Sequence, residues 1–231
     1  MKEEISPEQL IFRNAFNFIE AIEQARKFGY YFGPNALTKE ICGALEAEIN
    51  TLPLEVGDHI NQPINPGKPN EVRQQHERAY FAYGDTATPV ANGLIRGLTL
   101  LVRSMEEFPE LREWQPTEIG YQRYRHSDDW IGPHRDRASD KLLSVTLTIT
   151  GSAPVRIFKP LGQPNDYSHI QQTQEFLTTP GSIMLLRANG FGTGEQVIHQ
   201  VLPPSSTSRS ILNLRMRPTI LKQPGQLKHK G

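Results

Sequence analysis

The hydrophobic period changes partway along this chain, and that change constrains the fold more than any other feature. Before residue 109 the strongest patterns are helical. In "VANGLIRGLTLLVRSMEEF", Val90, Leu94, Leu98 and Leu101 line one side. From Glu118 onward alternation takes over. "EIGYQRYRH", "LLSVTLTITG", "APVRIFKP", "TQEFLTTPG", "SIMLLRANG", "EQVIHQVL" and "RSILNLRMRP" follow one another at short intervals. With 18 Gly and 18 Pro the chain turns too often for a helical bundle. Helices first and a dense run of strands after predict an α+β, mainly β chain: a β-sandwich or jelly roll backed by N-terminal helices.

Two earlier helices are expected. Ser6 and Pro7 read as an N-cap and first helical residue, with Ile11, Ala15, Phe18, Ile22 and Ala25 continuing to a stop near Gly29. "YYFGPNAL" reads as a short apolar stretch and turn. "TKEICGALEAEINTL" places Ile41, Leu45, Ile49 and Leu52 on one side of the next helix. Between Glu55 and Val72 the chain is polar and holds Pro63, Pro66 and Pro69, which suits a lid or substrate loop or a plain connector. "RAYFAYGD" resumes a strand-like pattern. One domain is expected, with helices and a Pro-rich loop (1–76) packed on a core (77–218), followed by a basic, disordered tail (219–231).

Charge and cysteine content narrow the function classes. Lys plus Arg and Asp plus Glu number 25 each, so no global field draws the chain to nucleic acid or anionic lipid. The single Cys42 rules out an intrachain disulfide or a cysteine-rich zinc cage, and reads as a small core residue. No apolar signal core or membrane-length run is present, so a cytoplasmic location and no membrane partner are expected.

The chemistry concentrates in "YQRYRHSDDWIGPHRDRASD", where His-x-Asp occurs twice, as His126/Asp128 and His134/Asp136. Residues i and i+2 of a strand share a face, so such a pair can hold one metal ion from a strand end. A third ligand from a later strand would complete a 2-His-1-carboxylate set with open positions for substrate and dioxygen. His199 in "EQVIHQVLPP" has strand context. His169 sits in a polar stretch, and His59, His76 and His229 have no strand around them. His134/Asp136 is the preferred pair because it stands at the mouth of "LLSVTLTIT". "RHSDDW" reads as a turn, with Asp128 or Asp129 bonding the local backbone. Ten residues after His199, Arg209, Ile211, Asn213 and Arg215 share one strand face. That polar stripe suits a small dianion beside a metal, or else a surface edge strand.

"QRY", a His-x-Asp ten residues beyond Tyr124, a distant His and "RSILNLR" together resemble the Fe(II)- and 2-oxoglutarate-dependent dioxygenases. Within them the order looks most like the AlkB-like group, whose "YGD"-type segment is matched at Tyr83 to Asp85. The resemblance covers roughly residues 77–218. It implies a double-stranded β-helix with Fe(II) on His134, Asp136 and His199. It implies that Arg209 and the Tyr124 hydroxyl hold the distal carboxylate of 2-oxoglutarate. Gln122 and Arg215 would support the other end, with Asn213 nearby; the family carries Asn where this chain has Gln122. The reaction implied is hydroxylation or oxidative demethylation, since halogenating relatives lack the carboxylate ligand.

The substrate stays open between two classes. One is an alkylated nucleic acid, whose flipped base would stack on aromatics such as Tyr80, Tyr83 or Trp130. Zero net charge and the sequence Arg137-Ala138-Ser139, where the AlkB-like repair enzymes commonly carry a base-reading acid, count against it. The other is a small molecule, peptide or protein side chain. Trp130, Arg137 and Tyr83 are the candidate substrate contacts. A zinc hydrolase could use the same three ligands, and a non-catalytic jelly-roll module none of them.

Overall fold

The computed structural model describes residues 11–14, 16–56, 64–125, 127–205 and 207–218. Ser6, Pro7, His59, His126, His229 and the 219–231 tail lie outside the described residues. The described residues hold three α-helices of more than one turn: α1 (Phe18–Phe28), α2 (Lys39–Ile49) and α3 (Pro89–Arg103). Asn17 caps α1 by accepting from the Glu20 amide at 3.1 Å. Gly29 closes it in a left-handed conformation (φ 89°), where a Cβ would strike Val197. The helix expected to run on from Ile11 is interrupted before Phe18. Residue 12 pairs with Leu37 as an isolated bridge, and Phe12, Phe16 and Phe18 form one aromatic cluster. α2 and α3 lie where the spacing placed them.

Twelve strands build two antiparallel sheets. They are β1 (Tyr30–Gly33), β2 (Glu55–Val56), β3 (Gln74–Gln75), β4 (Glu77–Ala82), β5 (Glu118–Tyr124) and β6 (Trp130–His134), then β7 (Lys141–Thr150), β8 (Ala153–Pro160), β9 (Ile170–Thr178), β10 (Ile183–Arg187), β11 (Ile198–Val201) and β12 (Arg209–Met216). The larger sheet runs β1-β10-β7-β12-β5-β4-β2, and the smaller β3-β6-β11-β8-β9. From β5 to β12 the chain alternates between sheets, except for the β8–β9 hairpin. That is the winding of a double-stranded β-helix. The helices cover the outer face of the larger sheet. Its outward alternate residues, among them Tyr121, Val145, Leu147, Leu212 and Leu214, form the main core with Phe18, Ile22, Leu45, Leu98 and Trp114. A second cluster, including Tyr124, Ile131, Val155, Met184 and Leu186, fills part of the space between the sheets.

Four strands escape the sequence patterns. β1 is a four-residue edge strand in the stretch read as apolar residues and a turn, and β2 and β3 are two residues each, at the start of and just after the Pro-rich segment. β6 contains Gly132 and Pro133, which argue against a strand. Its pairing explains them. Against β11, His199 faces His134 and Val201 faces Ile131, so three steps on β6 match two on β11. The extra residue is a bulge, the place where a missing proline N–H is tolerated. On its other edge Gly132 N–H donates to Arg73 O at 2.8 Å.

Candidate metal centre

The bulge ends β6 on His134, directly across from His199 on β11. Their ring centroids are 4.1 Å apart. Asp136 lies just beyond the end of β6, so it is placed by the following loop rather than by strand alternation. Ligand atoms of His134, Asp136 and His199 all lie within 4.8 Å of one another. His134 Nδ1 is 2.8 Å from Gly132 O, and His199 Nδ1 is 3.5 Å from Val197 O. Carbonyls only accept, so each ring donates from Nδ1 and leaves the Nε2 lone pair for a metal.

The electrostatics favour the ligating protonation states. Burial, then the nearby His199, pushes His134 down to about 3, and burial also lowers His199. Burial alone would raise Asp136. Arg215 and the two imidazoles outweigh it and hold the carboxyl at about 2. Two neutral imidazoles and one carboxylate are the donors a divalent ion needs. Arg215 Nη2 donates to Asp136 Oδ1 at 3.3 Å, and the same guanidinium lies 3.5 Å from Asp140 and 3.9 Å from Glu118. Arg217 ties Asp140 and Glu118 together from behind.

The triad opens into a narrow cavity of about 50 Å³ between the sheets. β12 sits centrally in the larger sheet, and its Arg209, Ile211, Asn213 and Arg215 all line this cavity. Gln122 and Tyr124 join them from β5, where Arg209 pairs with Tyr124 and Ile211 with Gln122. Arg209 is 1% exposed. Its Nη2 donates to Thr148 Oγ1 at 3.4 Å and its guanidinium lies 5.5 Å from the Tyr124 ring centroid. Nε and Nη1 have no hydrogen-bond partner among the described residues, and burial lowers the guanidinium to about 10. A buried cation with orphaned donors fits an arriving carboxylate. The Tyr124 hydroxyl donates to Gln122 Oε1 at 2.9 Å, and Asn213 Oδ1 accepts from Thr146 at 2.6 Å. Arg215 faces the cavity with its guanidinium engaged on Asp136, Asp140 and Glu118.

A broad cleft, about 1760 Å³ out to its open rim, meets this cavity at His134, Asp136, Gln122, Ile131 and Arg215. Arg137 lines it. Trp130 and Tyr83 do not: Trp130 pairs with Gln75 in the smaller sheet, and Tyr83 packs against the main core. Tyr80 does line the cleft, with the Arg78 guanidinium 5.6 Å from its ring centroid. Part of the Pro-rich segment also lines it, through Ile64, Asn65, Asn70 and Val72. Asp129 closes the preceding turn by accepting from Arg125 N at 2.8 Å, while Asp128 is exposed. Thr146 and Thr148 were missed as cavity residues. Their signal was present in "SVTLTIT", where hydroxyls alternate with Val145 and Leu147.

No protein-family model matches the chain, and no curated protein matches it. Solved structures do. A prolyl-4-hydroxylase from Pseudomonas putida superposes with a TM-score of 0.61 at 15% identity, over 87% of this chain and 98% of that one. A Trichoplax adhaerens prolyl hydroxylase, in complex with a hypoxia inducible factor oxygen degradation domain peptide fragment, gives 0.58 at 11%, over 85% and 87%. An oxidoreductase of the 2OG-Fe(II) oxygenase family from Burkholderia pseudomallei gives 0.51 at 16%, over 88% and 93%. The chain thus has the double-stranded β-helix fold of these oxygenases. Among the described residues no helix is long and apolar enough to cross a membrane.

Proposed function

We propose that the protein is an Fe(II)- and 2-oxoglutarate-dependent dioxygenase that hydroxylates or oxidatively demethylates its substrate. One observation carries this reading. A single cavity holds the His134/Asp136/His199 cluster and a buried arginine, Arg209, whose Nε and Nη1 have no partner. A zinc hydrolase needs the first but has no use for the second.

His134, Asp136 and His199 would hold the iron, and Arg209 the distal carboxylate of 2-oxoglutarate. Bound there, the two supply dioxygen activation, with 2-oxoglutarate leaving as succinate and carbon dioxide. The chain's own groups supply the rest. Arg209 neutralises a carboxylate in a site that excludes water, and Tyr124 offers its hydroxyl beside it. Arg215 keeps Asp136 ionised and oriented. Ile131, Val155, Met184 and Leu186 wall the cavity with apolar surface. Substrate would enter by the cleft, which reaches the triad from outside.

Within this class, AlkB-like dealkylation of nucleic acid is a second reading. The exposed Tyr80 ring in the cleft, with Arg78 on it, would serve base stacking. The test of the class is direct. Anaerobic protein with Fe(II) and 2-oxoglutarate should show a weak visible charge-transfer band, and air should then yield succinate. Tight stoichiometric zinc with no such band would refute it. Succinate release with methylated oligonucleotides, set against a metabolite panel, separates the two substrate readings.

A further inference from the structure

The cleft's charges are unevenly distributed. Its wall carries five arginines, Arg78, Arg135, Arg137, Arg215 and Arg217, and two acids, Asp136 and Glu195. In a chain of zero formal net charge this is a local asymmetry. Most of it is compensated. Arg135 donates to Glu195 at 2.5 Å and to Asn165 at 3.3 Å. With Asp136 assigned to the metal, Arg215 and Arg217 are balanced by Glu118 and Asp140. Arg78 lies against Tyr80. The guanidinium of Arg137 has no partner among the described residues.

Arg137 is also held ready. It follows the ligand Asp136 directly, so it stands at the edge of the metal centre. Its carbonyl accepts from Asp140 N at 2.9 Å and from Gln196 Nε2 at 3.4 Å. The next carbonyl, of Ala138, accepts from Asn189 Nδ2 at 2.6 Å. Side chains from the opposite loop thus pin the backbone of 137–138 while the cation projects unpaired and exposed. The remaining lining of that side is neutral amide, and its one further acid, Glu195, is already engaged.

We infer that the substrate carries an anionic group, a carboxylate or a phosphate, which Arg137 binds at the cleft while the reacting carbon reaches the triad. This rests on the dioxygenase reading. A planar guanidinium pairs with either anion through two parallel hydrogen bonds, and binding at a rim spares it full desolvation. The anchor would sort substrates before chemistry, separately from Arg209, which faces the inner cavity.

The test uses full-length protein loaded with Mn(II), saturated with 2-oxoglutarate and kept anaerobic, with inorganic phosphate as the probe. Mn(II) is paramagnetic, so phosphate held near the metal shows enhanced ³¹P relaxation. A saturable enhancement is expected, with apparent affinity weakened tenfold or more in Arg137→Gln and partly restored in Arg137→Lys. Competition by acetate against methyl phosphate then tells which anion the site prefers. No saturable enhancement, or one unchanged in Arg137→Gln, overturns the inference; the latter would mean phosphate on the metal itself. The Fe(II)·2-oxoglutarate band is recorded on both proteins. Its presence in both, with phosphate binding absent, leaves the dioxygenase reading standing and removes only the anion site. Its absence from the wild type removes both.

Discussion

Replacing Arg209 by methionine should make the ligand-free protein more stable and end co-substrate binding. Arg209 is 1% exposed, and among the described residues its guanidinium makes one hydrogen bond, a long one of 3.4 Å to Thr148. Burial depresses the guanidinium from the ordinary arginine range to about 10. That depression corresponds to roughly 3 kcal/mol of unfavourable charge burial. Methionine keeps much of the volume and the contact with the Tyr124 ring but removes the charge, and such exchanges of a buried ion are often stabilising by about 1–4 kcal/mol. At about 2–4 °C per kcal/mol for a chain of this size, Tm should rise by roughly 2–16 °C without ligand.

The ligand response should move the other way. At a 2-oxoglutarate concentration 100 times its Kd, wild type gains about 2.7 kcal/mol, and the variant should gain nothing. Differential scanning calorimetry with and without 2-oxoglutarate reads both effects on one sample. A variant that melts several degrees lower without ligand, and still shifts with it, would refute the reasoning. It would mean that Arg209 is satisfied within the fold and that the cavity binds its ligand elsewhere.

Glu48→Ala should destabilise by about 2–4 kcal/mol in denaturant titration. It strands the amides of Val90 and Ala91, which Glu48 accepts at 2.5 and 3.1 Å, together with the buried Tyr121 hydroxyl. Gly120→Ala should impair substrate turnover more than 2-oxoglutarate binding, because the new Cβ would stand 2.8 Å from the Tyr80 ring and push it across the cleft; equal losses in both would disprove this. Metal affinity should fall less steeply below pH 6.5 than two ordinary histidines dictate, since His134, at about 3, holds no proton to displace and burial lowers His199 as well. The same depression makes their contribution to metal-free stability complete above the ordinary histidine value of about 6.5 and progressively lost as pH falls toward the folded-state values. Metal titrations at stepped pH check the first point. An affinity that drops about thirtyfold between pH 6.5 and 5.5 would show two ordinary histidines.

What the sequence made legible was local or periodic. α2, α3 and most strands from β5 onward announced themselves because each buries one face against one layer, and the period follows. The inward stripe of β12 could be read for the same reason. Arg209, Asn213 and Arg215 fall on one side, and only a central strand brings such a side to a cavity. What stayed hidden depends on partners far along the chain. Glu48 stands on the buried side of α2, where a carboxylate looks misplaced until the start of α3, over 40 residues on, supplies its donors. Arg215 read as a co-substrate ligand, yet Asp140 and Glu118, over 70 residues before it, engage its guanidinium.

β6 shows how a local rule can fail where function lies. Gly132 and Pro133 are poor strand residues, and the sequence puts them immediately before His134, a proposed iron ligand. A regular strand there would keep β6 and β11 in step. The bulge takes up one residue, bends the strand end and lets His134 face His199 while Asp136 swings in from the loop. Gly132 also turns its carbonyl to His134 Nδ1, which fixes the tautomer that frees Nε2. The irregularity that hid the strand is therefore part of what assembles the metal centre. It can be tested on that ground. Pro133→Ala restores a backbone donor and should relax the bulge, weakening metal binding while leaving Tm nearly unchanged. A fall in Tm with metal affinity intact would make Pro133 a stability residue and nothing more.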